Sequence, residues 1–347
     1  MFFASDNSGP VHPAILEAVA QANMGHAWGY GADAQMDQVR DLIRDIFEAP
    51  EAAVYLVATG TAANALALAT LTQPFDTIFC SPVAHIHEDE CNAPEFYTGG
   101  AKLTLVSGGD KMTPKSLRKS IAGEETRGVH GPQRGAVSIT QVTERGSVHT
   151  LDELDALCAA AKDFDIPVHL DGARFANALV ALGCSPAEMT WKRGIDAVSF
   201  GGTKNGCMGV EAVIFFNPEH AWEFELRRKR GGHLFSKHRY LSAQMLGYLQ
   251  NDLWLDLARR SNAACARLAD GLTRAGARHL LPPQANMIFT AFPRYIHQHL
   301  HAQGAAYHLW EGELDGDPRE ILAARMVCDW SITDAQIDQF LTLYAAA

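Results

Sequence analysis

Between residues 53 and 216 the chain repeats one pattern: a short apolar run, a turn, then a stretch with helical spacing. The runs lie at 53–58, 77–80, 103–106, 136–142, 168–170, 197–200 and 212–216, too short for buried helices and right for strands covered on both faces. Alternation of this kind specifies a mainly parallel sheet joined by crossover helices. The intervening helices are expected over 62–71, 151–161 and 175–182. The second starts behind Thr150, with Glu153 placed to complete a capping box. Upstream, Met36, Val39, Leu42, Ile43, Ile46 and Phe47 recur at helical spacing and give one helix an apolar face for the sheet.

Beyond the basic segment 227–232 a helical pattern runs from about 240 past 268. Two strand-like segments, 286–290 and 323–328, then flank a further helical stretch, and a last helix is expected over 333–344. The expectation is an α/β chain with a large domain over 1–250 and a smaller C-terminal α+β domain over 251–347.

Composition narrows the function. Acidic residues outnumber basic ones 40 to 29, for a formal charge of -11, whereas phosphate backbones call for a basic face. No nucleic-acid partner is expected. No segment reaches the ~18 uninterrupted apolar residues of a membrane span, and the start lacks a basic region before a long apolar core. The expected location is cytoplasmic. The seven cysteines show no CxxC spacing, and His85 and His87 diverge on a helix, so no metal site is expected.

The chemistry lies at the ends of two apolar runs. Lys204 follows the run 197–200 inside a glycine-rich bend, where an ammonium loses hydration and its amine becomes available for condensation with a carbonyl. The run 168–170 ends in Asp171-Gly172-Ala173-Arg174. A lysine, a carboxylate and a guanidinium delivered by two strand ends suit pyridoxal 5'-phosphate (PLP). The lysine holds the aldehyde, the aspartate keeps the pyridine nitrogen protonated, and the arginine forks onto an amino-acid carboxylate. Gly60-Thr61-Ala62-Ala63-Asn64 opens a helix after the first run, where free amides and a hydroxyl favour phosphate; by itself the signal is weak and reads first as a simple capped turn, and its order relative to Asp171 and Lys204 strengthens it. His85, just past the run 77–80, is placed to lie on a pyridine ring and to move protons, or else to be a surface histidine.

With these residues in view, the chain resembles the low-specificity L-threonine aldolases, fold-type-I PLP enzymes related to the aspartate aminotransferases. The segments that carry the resemblance are Ser5-Asp6-Asn7, Tyr30-Gly31-Ala32-Asp33, Gly60-Thr61-Ala62-Ala63-Asn64, Ala84-His85, Asp171-Gly172-Ala173-Arg174, Lys204-Asn205-Gly206, Asn286-Met287 and Arg325-Met326-Val327. The resemblance implies that Lys204 carries the cofactor covalently, Asp171 pairs with the pyridinium, His85 stacks on the ring, and Gly60 with Thr61 holds the phosphate. Ser5, Arg174 and Arg325 then bind the substrate carboxylate, and His130 lies near the β-hydroxyl. For Arg325 the competing reading is a structural ion pair. His85 and His130 both stand as candidates for the base.

Two departures from the family pattern matter. Where many relatives have an arginine reaching the phosphate of a neighbouring subunit, this chain has Ser236-Lys237, so Lys237 or Arg239 takes that part. Asp89 stands four positions after His85 where some members carry an aromatic residue, which bears on preference at the β-carbon. The expected activity is retro-aldol cleavage of L-threonine, L-allo-threonine or a bulkier L-β-hydroxy amino acid such as phenylserine to glycine and an aldehyde. The alternatives are another fold-type-I PLP enzyme, a β-eliminating lyase or an aminotransferase, and a protein in which Lys204 is only a buried structural residue. The resemblance further implies a dimer of dimers whose sites form across an interface, to which Tyr30 and the segment 227–239 contribute.

Overall fold

The computed structural model describes all 347 residues. Seven strands form the main sheet: β1 (Ala53–Val57), β2 (Asp76–Cys80), β3 (Lys102–Leu105), β4 (Gln133–Thr140), β5 (Val168–Gly172), β6 (Ala197–Gly201) and β7 (Glu211–Phe215). Each of the seven expected runs is one of these strands. Their order is β1-β7-β6-β5-β4-β2-β3, parallel throughout except for β7, which runs against both neighbours. The C-terminal ends of β1, β2, β4, β5 and β6 therefore share one edge of the sheet, where α/β folds bind ligands.

The residues of β1, β2, β5, β6 and β7 are all buried, which explains why they read as continuous apolar runs rather than alternating ones. Helices begin where their caps predict. Thr150 and Glu153 form the capping box of Leu151–Lys162, and Thr59 caps Gly60–Leu71 through the Ala62 amide.

A smaller sheet, ordered β10-β11-β9-β8, holds β8 (Arg278–His279), β9 (Met287–Pro293), β10 (His308–Leu309) and β11 (Ile321–Val327). It has its own core, in which Phe3 is buried beside Leu268, Ile288, Met326 and Phe340. Phe3 donates its amide to Ala306 and accepts from Val327, so the first residues belong with this sheet. We propose a division near residue 250, with residues 1–3 returning to the second unit.

The helical pattern over 240–268 is not one helix. It divides into Arg239–Leu249 and Leu253–Arg274, because Asn251 and Asp252 take φ of 55° and 54°. Asn and Asp bear the left-handed region better than other side chains with a Cβ, so the chain turns there. The second helix then links both cores, with Trp254 and Leu257 in the larger and Cys265 and Leu272 in the smaller.

Candidate active site

Lys204 stands on a single helical turn, Thr203–Asn205, directly after β6. That turn is fixed from below. Asn205 donates to the Tyr248 hydroxyl at 2.7 Å and to the Trp254 carbonyl at 2.8 Å, and the buried Glu211 carboxylate accepts the Gly202 amide at 2.7 Å. Burial pushes the Glu211 carboxyl up to about 7 against those hydrogen bonds and the nearby Lys204 charge. Phe200 anchors the preceding strand against Phe175 and Trp254, at 5.3 and 5.6 Å between ring centres. Lys204 itself remains half-buried, close enough to Asp6 and Glu211 to act on both carboxyls and bonded to neither.

Asp171 lies near the end of β5, paired in register with Thr140 of β4 and Ser199 of β6. Its Oδ1 accepts the Ala173 amide at 3.1 Å and its Oδ2 the Asn64 amide group at 3.0 Å. Beneath it on the same strand, His169 is held between the hydroxyls of Ser138 and Ser199. Burial pulls that ring down to about 4, so it is neutral and adds no charge beside Asp171.

Asn64 extends this set. The same amide nitrogen donates to Glu90 Oε1 at 2.9 Å, and that oxygen lies 2.8 Å from His85 Nδ1. His85, Glu90, Asn64 and Asp171 thus form one hydrogen-bonded chain across the ends of β1, β2 and β5. For the His85 ring, burial opposes the charged form, but the Glu90 hydrogen bond and the charges of Asp171 and Glu144 outweigh it and raise its pKa. The Glu90 carboxyl is also raised, chiefly by burial.

The cations are arranged unequally. Arg174 grips Asp6 with Nε at 2.7 Å and Nη2 at 2.9 Å, both side chains almost wholly buried. Asn286 donates to the same Asp6 and to the Cys328 carbonyl, tying the N-terminal segment to both sheets. Burial works against the Asp6 charge, yet Arg174 and Lys204 overcome it and hold the carboxyl below its usual range. Its stabilising contribution is complete above the ordinary aspartate pKa and is lost as pH falls through the lowered one. Asp6→Asn leaves Arg174 as an uncompensated buried charge and is expected to cost about 3–5 kcal/mol of stability, read by chemical denaturation at neutral pH.

Arg325 has no such partner. It sits on β11, half-buried, and its one polar contact is Nη2 to the Met287 sulfur at 3.7 Å. Burial and then the neighbouring Arg174 charge lower its pKa, against smaller opposing effects of Asp6, Glu144 and Asp89. The structural ion pair that competed for this residue is not formed. An uncompensated guanidinium beside the Arg174–Asp6 pair suits an anionic ligand.

Several expected residues do not join the group within one subunit. His130 precedes β4 by three positions, at the start of an eight-residue strand whose far end is Thr140 beside Asp171. At about 3.3 Å per residue that is roughly 25 Å away, and His130 is exposed. Lys237 is also exposed and its side chain bonds to nothing, whereas Arg239 is committed to the Gly25 carbonyl and the Tyr240 hydroxyl. Tyr30, 53% exposed, lies with its ring under Lys229 and its amide on the Ser236 carbonyl. Asp89 ends the short helix His85–Glu88 and bears on Arg325. Ser5 turns its hydroxyl to the Asn7 amide.

Asn64, Glu90, Asp6 and Glu144 were missed as site residues. Asn64 had a legible signal, being the one amide in a helix whose other side chains are nearly all apolar, so that it had to find a buried partner. The other three are carboxylates in ordinary polar runs, and only the fold gives them neighbours.

The family described as beta-eliminating lyase matches residues 3–293. The low-specificity L-threonine aldolase of Pseudomonas aeruginosa is 41% identical over 94% of this chain and 92% of its own length. The chain belongs to the low-specificity L-threonine aldolases, within the beta-eliminating lyase family. Among solved structures, the threonine aldolase of Leishmania major superposes with a TM-score of 0.92 at 26% identity, covering 99% of this chain and 98% of that one. A structure of SPT with PLP shares the fold at 17% identity, with a TM-score of 0.72 over 100% of this chain and 86% of that one. The fold is thus that of the fold-type-I PLP enzymes, as the resemblance implied, and the Leishmania match extends through both sheets.

Proposed function

We propose that this aldolase-family chain uses PLP to split L-threonine, L-allo-threonine and related L-β-hydroxy-α-amino acids, phenylserine among them, into glycine and an aldehyde. Its own residues fit the cofactor. Lys204 is an amine without a counter-ion, and the Asp171 carboxylate is buried at the end of the neighbouring strand. The amides of Gly60 and Thr61 open a helix with no acceptor of their own, and a Cβ added at Gly60 would meet nothing within 4 Å. Buried polar atoms left without partners, Asn64 Oδ1, Glu90 Oε2 and Arg174 Nη1, belong to the same residue set. When bound, PLP supplies an aldehyde that condenses with amines and a protonated pyridine ring that accepts the electron pair of a bond broken at an amino acid's α-carbon.

Lys204 would hold the aldehyde, Asp171 the ring N–H, and the helix start at Gly60 and Thr61 the phosphate. Arg325, together with the free Nη1 of Arg174, would clamp the substrate carboxylate. That clamp decides the reaction, because fixing the carboxylate determines which α-carbon bond is oriented for cleavage. His85 is the candidate to take the β-hydroxyl proton, whose removal turns the β-carbon into an aldehyde as the Cα–Cβ bond breaks; a proton then returns to the α-carbon and glycine leaves.

The observation that carries this reading is the uncompensated Arg325 within electrostatic reach of Asp6, which Lys204 also reaches. Arg325→Ala is expected to raise KM for threonine by about 10–100-fold, the loss of one charge-assisted contact. Unchanged KM and kcat would remove the clamp from the scheme. The family description itself favours the second reading, β-elimination. Glycine and aldehyde in equal amounts from threonine support the aldolase, and ammonia with a keto acid supports elimination.

Lys237, Tyr30 and His130, exposed and bonded to none of the site residues of their own chain, support completion of the site by a neighbouring subunit. We place Lys237 rather than Arg239 at that phosphate, since Arg239 is already bonded within its chain, and we propose a dimer of dimers, checked by light scattering. No helix is long and apolar enough to cross a membrane, and the proposed location is cytoplasmic.

A further inference from the structure

We propose that Glu90 is a positioning residue that holds the His85 ring with Nδ1 protonated, leaving Nε2 as the nitrogen that takes the substrate's proton. This inference rests on the aldolase reading above. It begins with Asn64, whose single amide group meets two carboxylates, Glu90 at 2.9 Å and Asp171 at 3.0 Å. Carboxylate oxygens accept hydrogen bonds, so the nitrogen end of the amide must face both, and its two hydrogens are used. Glu90 Oε1 is therefore an acceptor in this network. The same oxygen lies 2.8 Å from His85 Nδ1, and between an acceptor and a ring nitrogen the proton belongs to the ring.

His85 Nε2 has no partner in the protein, and the side chain keeps 27% of its surface exposed while that of Glu90 has none. The arrangement matches the logic of a buried carboxylate orienting a catalytic imidazole: it selects the tautomer and stabilises the ring when it gains a second proton. Glu90 in turn cannot rotate away, since Asn64 holds it from a buried helix. Because Asn64 also holds Asp171, ring orientation and cofactor anchor are set by one side chain. The charges facing His85 are Glu90 between the two short helices, Asp171 on β5 and Glu144 in the loop after β4, all negative. They raise its pKa together, so the proton is lost at higher pH than from an ordinary histidine.

Nitrogen-15 NMR of the histidine-labelled holoenzyme, with the His85 signals identified from their absence in His85→Gln, tests the geometry without substrate. A proton on Nδ1 throughout the neutral range is expected. A neutral ring with Nδ1 bare would overturn the proposal. Glu90→Gln keeps the accepting oxygen and removes the charge, so the acid limb of kcat/KM should move down by about one pH unit. Glu90→Ala should lower kcat by about 100-fold with KM within about threefold of wild type. If both variants keep the acid limb and kcat of wild type while the wild-type enzyme releases glycine, Glu90 has no such role. If wild type releases no glycine from threonine, it is the aldolase reading that fails, and the ring protonation still decides the Glu90–His85 geometry.

Discussion

Lys204→Ala should lower glycine release from threonine by on the order of 10⁴-fold or more, because no other amine is available to hold an aldehyde covalently beside Asp171. The loss should be chemical rather than structural. Lys204 is a half-buried cation bonded to nothing, on a turn secured independently by Asn205, Tyr248 and Glu211. Removing it gives up only the unbonded attraction of its charge for Asp6 and Glu211, so the cofactor-free variant should melt within about 5 °C of wild type. Borohydride treatment of the PLP-loaded protein gives a second readout. Wild type should gain the mass of the reduced cofactor on the peptide containing residue 204, and the variant should not. Wild-type turnover in Lys204→Ala would end the covalent assignment.

Asp171→Asn should lower kcat by on the order of 10² to 10³ and weaken cofactor binding, because it removes the fixed negative charge that keeps a pyridine nitrogen protonated. Asparagine has nearly the shape of aspartate and keeps one oxygen for the Ala173 amide, so the fold should survive. It cannot also accept from Asn64 with its amide nitrogen, which ties the change to the His85 chain as well. Cofactor affinity is read by quenching of tryptophan fluorescence, and turnover by aldehyde release. Unchanged affinity and rate together would show that Asp171 is only a structural carboxylate. The same variant should leave the Asp6–Arg174 pair untouched, so a large loss of thermal stability would point to a different function for this residue.

The architecture was legible because strands buried on both faces must be apolar throughout, and that makes each of them visible as a bounded run. Thr150 and Glu153 were legible for a similar reason, since a helix start has unpaired amides that only a few residue types can satisfy. The break at Asn251 and Asp252 was not. A helical spacing of apolar residues continues across it, and two residues that tolerate positive φ do not by themselves announce that they adopt it.

At the site the division is sharper. Lys204 and Asp171 stood out because a charge at the end of a buried strand has no structural excuse. Arg174 stood out equally, yet much of its hydrogen-bonding capacity goes to Asp6, 168 residues earlier. Arg325 shows the reverse: from the sequence, a ligand site was preferred to an ion pair, and the folded chain bonds it to no carboxylate. His130 illustrates the remaining limit: it precedes the run 136–142, which in a parallel sheet puts it at the edge opposite the strand ends, and only the resemblance had brought it to the site of its own chain.

What the order of residues determined alone was the alternation of strand and helix, the edge at which the strand ends meet, and the lysine and aspartate that stand at two adjacent strand ends there. These follow from local rules, burial of apolar runs and the cost of an unpaired charge. The folded structure alone decided which charges are neutralised and which stay free, because pairing depends on contacts between residues far apart in the chain. It set Asp6 on Arg174, left Arg325 open, and strung His85, Glu90, Asn64 and Asp171 into one hydrogen-bonded line.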